Sequence, residues 1–117
     1  MATKSYTDLE QSRKLAEILP LDSADMYYIN GDIDKIMLRK WENDMHDEDD
    51  IPCWSLAALL KIIPDVVVST MKENSNKWEI ASWNGIDLDQ IISIDDFDNP
   101  VDACYEMVLK LHELNRL

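Results

Sequence analysis

Glycine is almost missing from this sequence: Gly31 and Gly85 are the only two among 117 residues. Standing alone, they cannot build the loops that cradle phosphates. Neither GxGxxG nor GxxxxGK occurs, which excludes nucleotide-dependent chemistry of those types. Cysteine is equally scarce, at two residues. Long apolar runs are absent as well. The most apolar stretch, Ile51 to Ile63, is broken by Pro52 and Lys61 and falls far short of the ~20 residues that span a bilayer. The polar start MATKSYTDLEQSRK holds no apolar core of signal-peptide length. These absences predict a soluble, cytoplasmic protein in which Cys53 and Cys104 stay reduced and act as small buried hydrophobes. Basic residues are also few, 11 against 24 acidic ones, for a formal charge of −13. Wrapping nucleic acid requires Lys and Arg against phosphate, and an anionic membrane surface would repel this chain. What is present, 46% hydrophobic and 30% charged residues, suits one compact domain over residues 1–117 with a real core.

The spacing of apolar residues predicts three helices. The first covers 8–19: Thr7 or Asp8 can cap it, Leu9, Leu15, Ala16, Ile18 and Leu19 form its apolar face, and Pro20 stops it. The second covers 54–63, follows Pro52, is apolar on nearly every side and ends at Pro64; such a helix belongs in the centre of a core. The third covers 100–115. Asn99 caps it, Pro100 takes the first helical position, and Asp102 favours the positive end of the helix dipole.

Strands are expected over 65–71, 77–83 and 90–94, joined by Asn74-Ser75-Asn76 and Asn84-Gly85 as an antiparallel meander. In the second of these, Trp78 and Ile80 share one face, and Ala81 and Trp83 the other. Between Met26 and Trp41, Asn30-Gly31 signals a hairpin of two further strands. Ile33, Ile36, Met37 and Lys40 also recur at helical spacing there. The fold class is therefore α+β: a mostly antiparallel sheet of about three to five strands with the three helices packed on it.

The charge is not spread evenly. Residues 1–21, 51–83 and 103–117 are each neutral. Residues 22–50 hold ten acids and three bases, and residues 84–102 hold six acids and no base, so two segments carry the whole excess. Solvated loops that only keep the chain soluble would look like this. The functional alternative is that the two acidic loops converge into one surface that steers a cationic partner. Its residues would be Asp47, Glu48, Asp49 and Asp50 in the run 42–50, and Asp95, Asp96 and Asp98 further on. Trp41, beside the first run, and Trp83 would serve as aromatic anchors rimmed by charge. Trp54 and Trp78 are most simply core.

Other chemistry finds little footing. A calcium loop starting at Asp87 fails because Ile92 stands where the sharp turn needs glycine. Zinc would need His46, Cys53, Cys104 and His112, which show no ligand spacing. On one helix Cys104 and His112 would be separated by a rise of ~12 Å, whereas ligands of one zinc each lie ~2 Å from it. His112 reads as a partly exposed helix residue. Ser55 and Cys53 carry no nucleophile motif, and Ser55 suits a helix start. No metal, cofactor or catalytic residue is expected.

The string Ile51-Pro52-Cys53-Trp54-Ser55-Leu56-Ala57-Ala58-Leu59-Leu60, running on to Ile63-Pro64, is distinctive. With Asp22-Ser23-Ala24-Asp25-Met26 before it and Glu106-Met107-Val108 after it, it resembles a group of short uncharacterised proteins of gut-bacterial prophages and mobile elements. That group shares a P-[AC]-W-S-L-x-A-L-L segment followed by strands and a closing helix. The resemblance implies an accessory protein of a phage or mobile element and points to an inhibitor of host proteins, without naming site residues. The expectation is a non-enzymatic module that binds a basic protein surface through its acidic loops, as an inhibitor or adaptor. The alternatives are a divalent-metal enzyme using carboxylates near Asp95 and Asp96, or a homo-oligomer whose acidic loops only solubilise it.

Overall fold

The computed structural model describes residues 4–29, 36–37, 50–73, 75–84, 87–115 and 117. The protein is α+β, with three α-helices and two antiparallel three-stranded sheets among the described residues. The helices and the meander thus follow the sequence, but the strands divide between two sheets instead of joining one. The chain forms two compact units, Ser5–Ala58 and a second made of Met1–Lys4 and Leu59–Leu117.

In the first unit, helix α1 (Leu9–Ala16) is capped by Asp8. The Asp8 carboxylate accepts from the Gln11 N–H at 2.8 Å, and the Gln11 side chain accepts from the Asp8 N–H at 3.1 Å. This reciprocal box satisfies two donors that a helix start otherwise leaves bare. The sheet has the order β2-β1-β3, with β1 at Met26–Tyr28, β2 at Ile36–Met37 and β3 at Ile51–Cys53.

Strands β1 and β2 pair as the hairpin signal predicts. Their register sets Tyr28 opposite Ile36; Asn30-Gly31 lies outside the described residues. Strand β3 was not expected, since Pro52 reads as a helix opening. Proline lacks a donor, and it is accommodated because, among the described residues, β3 lies at the sheet edge and pairs only with β1. Residues 5–7 run beside 54–56: the Thr7 N–H donates to the Trp54 carbonyl at 2.9 Å, and the Leu56 N–H to the Ser5 carbonyl at 3.2 Å. Helix α2 (Leu56–Ile62) starts at Ser55, whose hydroxyl accepts from the Ala58 N–H at 3.1 Å.

In the second unit, Pro64 and Asp65 turn the chain into strand β4 (Val66–Thr70). Buried Ser82 holds that turn by donating to the Pro64 carbonyl at 2.5 Å. Strands β4, β5 (Trp78–Asn84) and β6 (Asp87–Phe97) form the meander in sequence order.

Helix α3 (Pro100–Glu113) packs on this sheet. Asn99 caps it by accepting from the Asp102 N–H at 2.8 Å, as the sequence predicts. The Lys4 ammonium donates to the Asp102 carboxylate at 2.8 Å and ties residue 4 to the same turn. Val101, Cys104, Met107, Val108 and Leu111 are fully buried along one face of α3. Burial of each larger apolar side chain is worth roughly 1.5–3 kcal/mol, and that face dominates what holds helix to sheet. No helix among the described residues is long and apolar enough to cross a membrane.

Candidate functional site

The pleat of the β4-β5-β6 sheet sorts its side chains onto two faces. Val68, Ile80 and Ile94 stand opposite one another in register, as do Val66, Ser82 and Ile92. Ile80 and Ser82 are fully buried, so this is the face that α3 covers. Val67, Ala81 and Ser93 line up on the other face, and the period of two adds Trp83, Glu79 and Asp95 to it; Ile91 alternates with Ile92 along β6 at the point where the β5–β6 register shifts between Ser82 and Asn84. Val67 is 51% exposed and Ile91 46%. Trp83 is partly buried. The outer face therefore presents valine and tryptophan toward solvent beside carboxylates, and Ile91 is exposed at the register shift. An apolar strip rimmed by charge is the composition of protein-binding patches, whereas single scattered apolar residues would need no explanation.

Strand β6 carries the acidic stretch. Phe97 pairs with Trp78 and Ile94 with Ile80, so Asp95 and Asp96 together face the single residue Glu79. This is a β-bulge. Asp96 takes up the extra length with a φ of 72°, a left-handed conformation that aspartate tolerates better than most residues. Asp95, Asp96 and Asp98 are all exposed. The Lys77 ammonium donates to Asp98 at 2.6 Å. That hydrogen bond, with the carboxylate charges of Asp98 and Asp96, raises the lysine pKa.

Beside the bulge lies an open groove of about 450 Å³, lined by Ser93, Ile94, Asp95, Phe97, Glu106 and Lys110. Its lining takes residues from both faces of β6 and from α3. The groove therefore follows the outer edge of β6, the last strand of its sheet.

The predicted site residues distribute unevenly. Asp95 and Trp83 share the outer face, and Asp96 and Asp98 extend the same stretch. Asp95 and Asp96 belong to a strand and not to the loop that the sequence suggests, because the bulge absorbs them into β6. Asp50 is only 8% exposed, unlike the solvated residue expected at the end of an acidic run. Trp41, Asp47, Glu48 and Asp49 lie outside the described residues. The acidic surface described is therefore that of 95–98. Val67, Ile91, Glu106 and Lys110 were not anticipated as site residues. The alternation that set Trp83 opposite Ile80 carried a signal for the first, once the strand register was known.

The most polar part of the interior is in the Ser5–Ala58 unit. Thr7, Ser12 and Cys53 are fully buried, and Tyr28 nearly so. The Thr7 hydroxyl lies 2.7 Å from that of Ser12 and accepts from the Trp54 N–H at 3.1 Å. The Thr7 carbonyl accepts from the Tyr28 hydroxyl at 2.8 Å and from the Cys53 thiol at 3.3 Å.

Burial raises the pKa of the Cys53 thiol, against the lowering effect of hydrogen bonds from the Thr7, Ser12 and Tyr28 side chains. Desolvation likewise raises Tyr28 and pushes Cys104 up to about 12. Burial that raises a thiol's pKa disfavours its nucleophilic thiolate form. The Ser55 hydroxyl donates to the Asp25 carboxylate, which also accepts the Ser55 N–H at 2.9 Å. With its role at the head of α2, this accounts for Ser55 structurally. Among the described residues, no three His, Cys, Asp or Glu side chains group as a metal site. No family model, curated protein or solved structure matches the chain.

Proposed function

We propose that this chain is a non-enzymatic protein-binding module. Its partner presents a basic surface to the outer side of the β4-β5-β6 sheet. The observation that carries this reading is the coincidence, on one face, of half-exposed Val67 with Trp83 and with the carboxylates of Glu79 and Asp95, and the exposure of Ile91 at the register shift. Carboxylates around an apolar centre would speed encounter with a cationic partner and disfavour anionic ones, while the apolar strip would supply the contact area. The prophage resemblance agrees with a role as inhibitor or adaptor for a phage or mobile element. A formal charge of −13 makes pairing of two copies through this face unfavourable.

The test is capture of proteins from a bacterial lysate by the chain and by an Asp95→Asn/Asp96→Asn/Asp98→Asn variant, at low and high salt. Wild type is expected to retain basic proteins that the variant and high salt both release. Recovery of the same proteins by both chains, independently of salt, would contradict the proposal.

A further inference from the structure

Strand β6 has β5 on one side, and among the described residues no strand pairs with its other side. A free edge offers a row of backbone N–H and C=O groups to any extended chain that can reach it. Several features favour access here. Ile91, Ser93, Asp95 and Asp96 are exposed along the strand, and the groove of about 450 Å³ lies along the same edge. Its lining also has two sides of different chemistry. Ile94 and Phe97 lie on the α3 side of the sheet, and Ser93 and Asp95 on the outer side. The charged members of the lining are Asp95, Glu106 and Lys110, an excess of one negative charge. From Asp87 to Phe97 the strand holds four aspartates and no base.

We infer that β6 receives an extended basic segment of the partner as a fourth, edge-paired strand. Its apolar side chains rest on Ile94 and Phe97, and its Lys or Arg side chains reach Asp95. The inference rests on the binding reading above and specifies its mode. In this mode main-chain hydrogen bonds supply affinity, and alternate side chains supply selectivity. Because side chains alternate between faces, the recognised segment alternates too: apolar toward α3, basic toward the outer face. Residues 91–95 extend ~13 Å at ~3.3 Å per residue, enough for a segment of about five residues. Pairing ends at the Asp95–Asp96 bulge, where the strand bends. The same carboxylates repel the β6 edge of a second copy, so the edge stays open to a cationic strand while self-pairing is disfavoured.

Fluorescence anisotropy with synthetic peptides tests this on the full chain. The probe is a labelled heptapeptide alternating lysine and valine. A copy N-methylated at three consecutive central amides keeps its charge but cannot donate from either edge there. A lysine-alanine peptide of equal charge that favours the helix is the conformational control.

The alternating peptide is expected to bind, and the methylated and helical peptides to bind about tenfold more weakly or worse. Asp95→Asn is expected to weaken the alternating peptide while leaving the melting temperature unchanged, because the residue is exposed. Equal, salt-sensitive binding of all three peptides would overturn edge pairing and leave the basic-partner proposal standing. If none of the basic peptides binds at low salt, edge pairing is overturned. If lysate capture is also charge-independent, the binding proposal falls with it.

Discussion

Replacing Thr7 by valine would test how far the first unit depends on its buried polar cluster. Valine keeps the size and branching of threonine and removes only the hydroxyl. In the fully buried wild-type residue, that hydroxyl accepts from the Trp54 N–H at 3.1 Å and sits 2.7 Å from Ser12 Oγ. Valine would leave the Trp54 N–H without its acceptor in a site closed to water. Ser12 would lose its 2.7 Å partner and keep a long bond to the Thr7 carbonyl, at 3.5 Å, and its contact with Cys53. An orphaned buried donor costs about 1–3 kcal/mol, and the lost serine bond adds to it, for a loss of about 2–3 kcal/mol. For a chain of this length that corresponds to a fall of roughly 6–12 °C in melting temperature.

The assay is urea unfolding followed by tryptophan fluorescence and circular dichroism. Thr7→Ser is the comparator, since it keeps the hydroxyl and loses one methyl, a cost of about 1 kcal/mol. Adding Ser12→Ala to the valine variant should cost less than it does in wild type, because its partner hydroxyl is already gone. A valine variant within about 0.5 kcal/mol of wild type would refute the reasoning.

Two further predictions follow from caps and buried thiols. Asn99→Ala removes the acceptor for the Asp102 N–H and a donor to the Asp102 carboxylate at 2.9 Å; it should cost about 1 kcal/mol in denaturant titration, and an unchanged midpoint would refute the cap's role. The folded state also holds Cys104 protonated up to about 12. The unfolded thiol titrates near ~8.5, so above that pH the native state binds more protons than the unfolded one and stability declines. By pH ~10 this residue alone should account for about 2 kcal/mol, with Cys53 and Tyr28 shifted in the same direction. Thermal melts between pH 7 and 10 should therefore fall, and Cys104→Ala should flatten part of the slope; an equal slope in that variant would refute the assignment.

Local chemistry made much of this fold legible. Asn99, Pro100 and Asp102 mark the start of α3 on their own, and the β-branched run of β4 and the alternation in β5 announce two strands of the meander. The parts that escaped depend on distant partners. Pro52 reads as a helix opening, yet it lies in a strand that pairs with β1, some 25 residues earlier, opposite Tyr27. Thr7 looks like a helix cap because nothing nearby shows that Trp54, Cys53 and Tyr28 will surround its polar atoms. Aspartate has low strand propensity, which made Asp95 and Asp96 look like a loop. The bulge opposite Glu79 is what admits them to β6. The candidate surface was legible in its charge and in Trp83. Val67 became visible only through the register that puts it on the outer face, and Ile91 through its exposure beside the register shift.

The central claim is that a basic partner docks on the outer side and edge of the β4-β5-β6 sheet. Hydrogen–deuterium exchange of the chain, with and without a basic protein captured from lysate, tests it most directly. The account predicts added protection in 66–70, 78–83 and 91–97, lost in the Asp95→Asn/Asp96→Asn/Asp98→Asn variant. Protection confined to residues 5–58, with 91–97 unchanged, would contradict it.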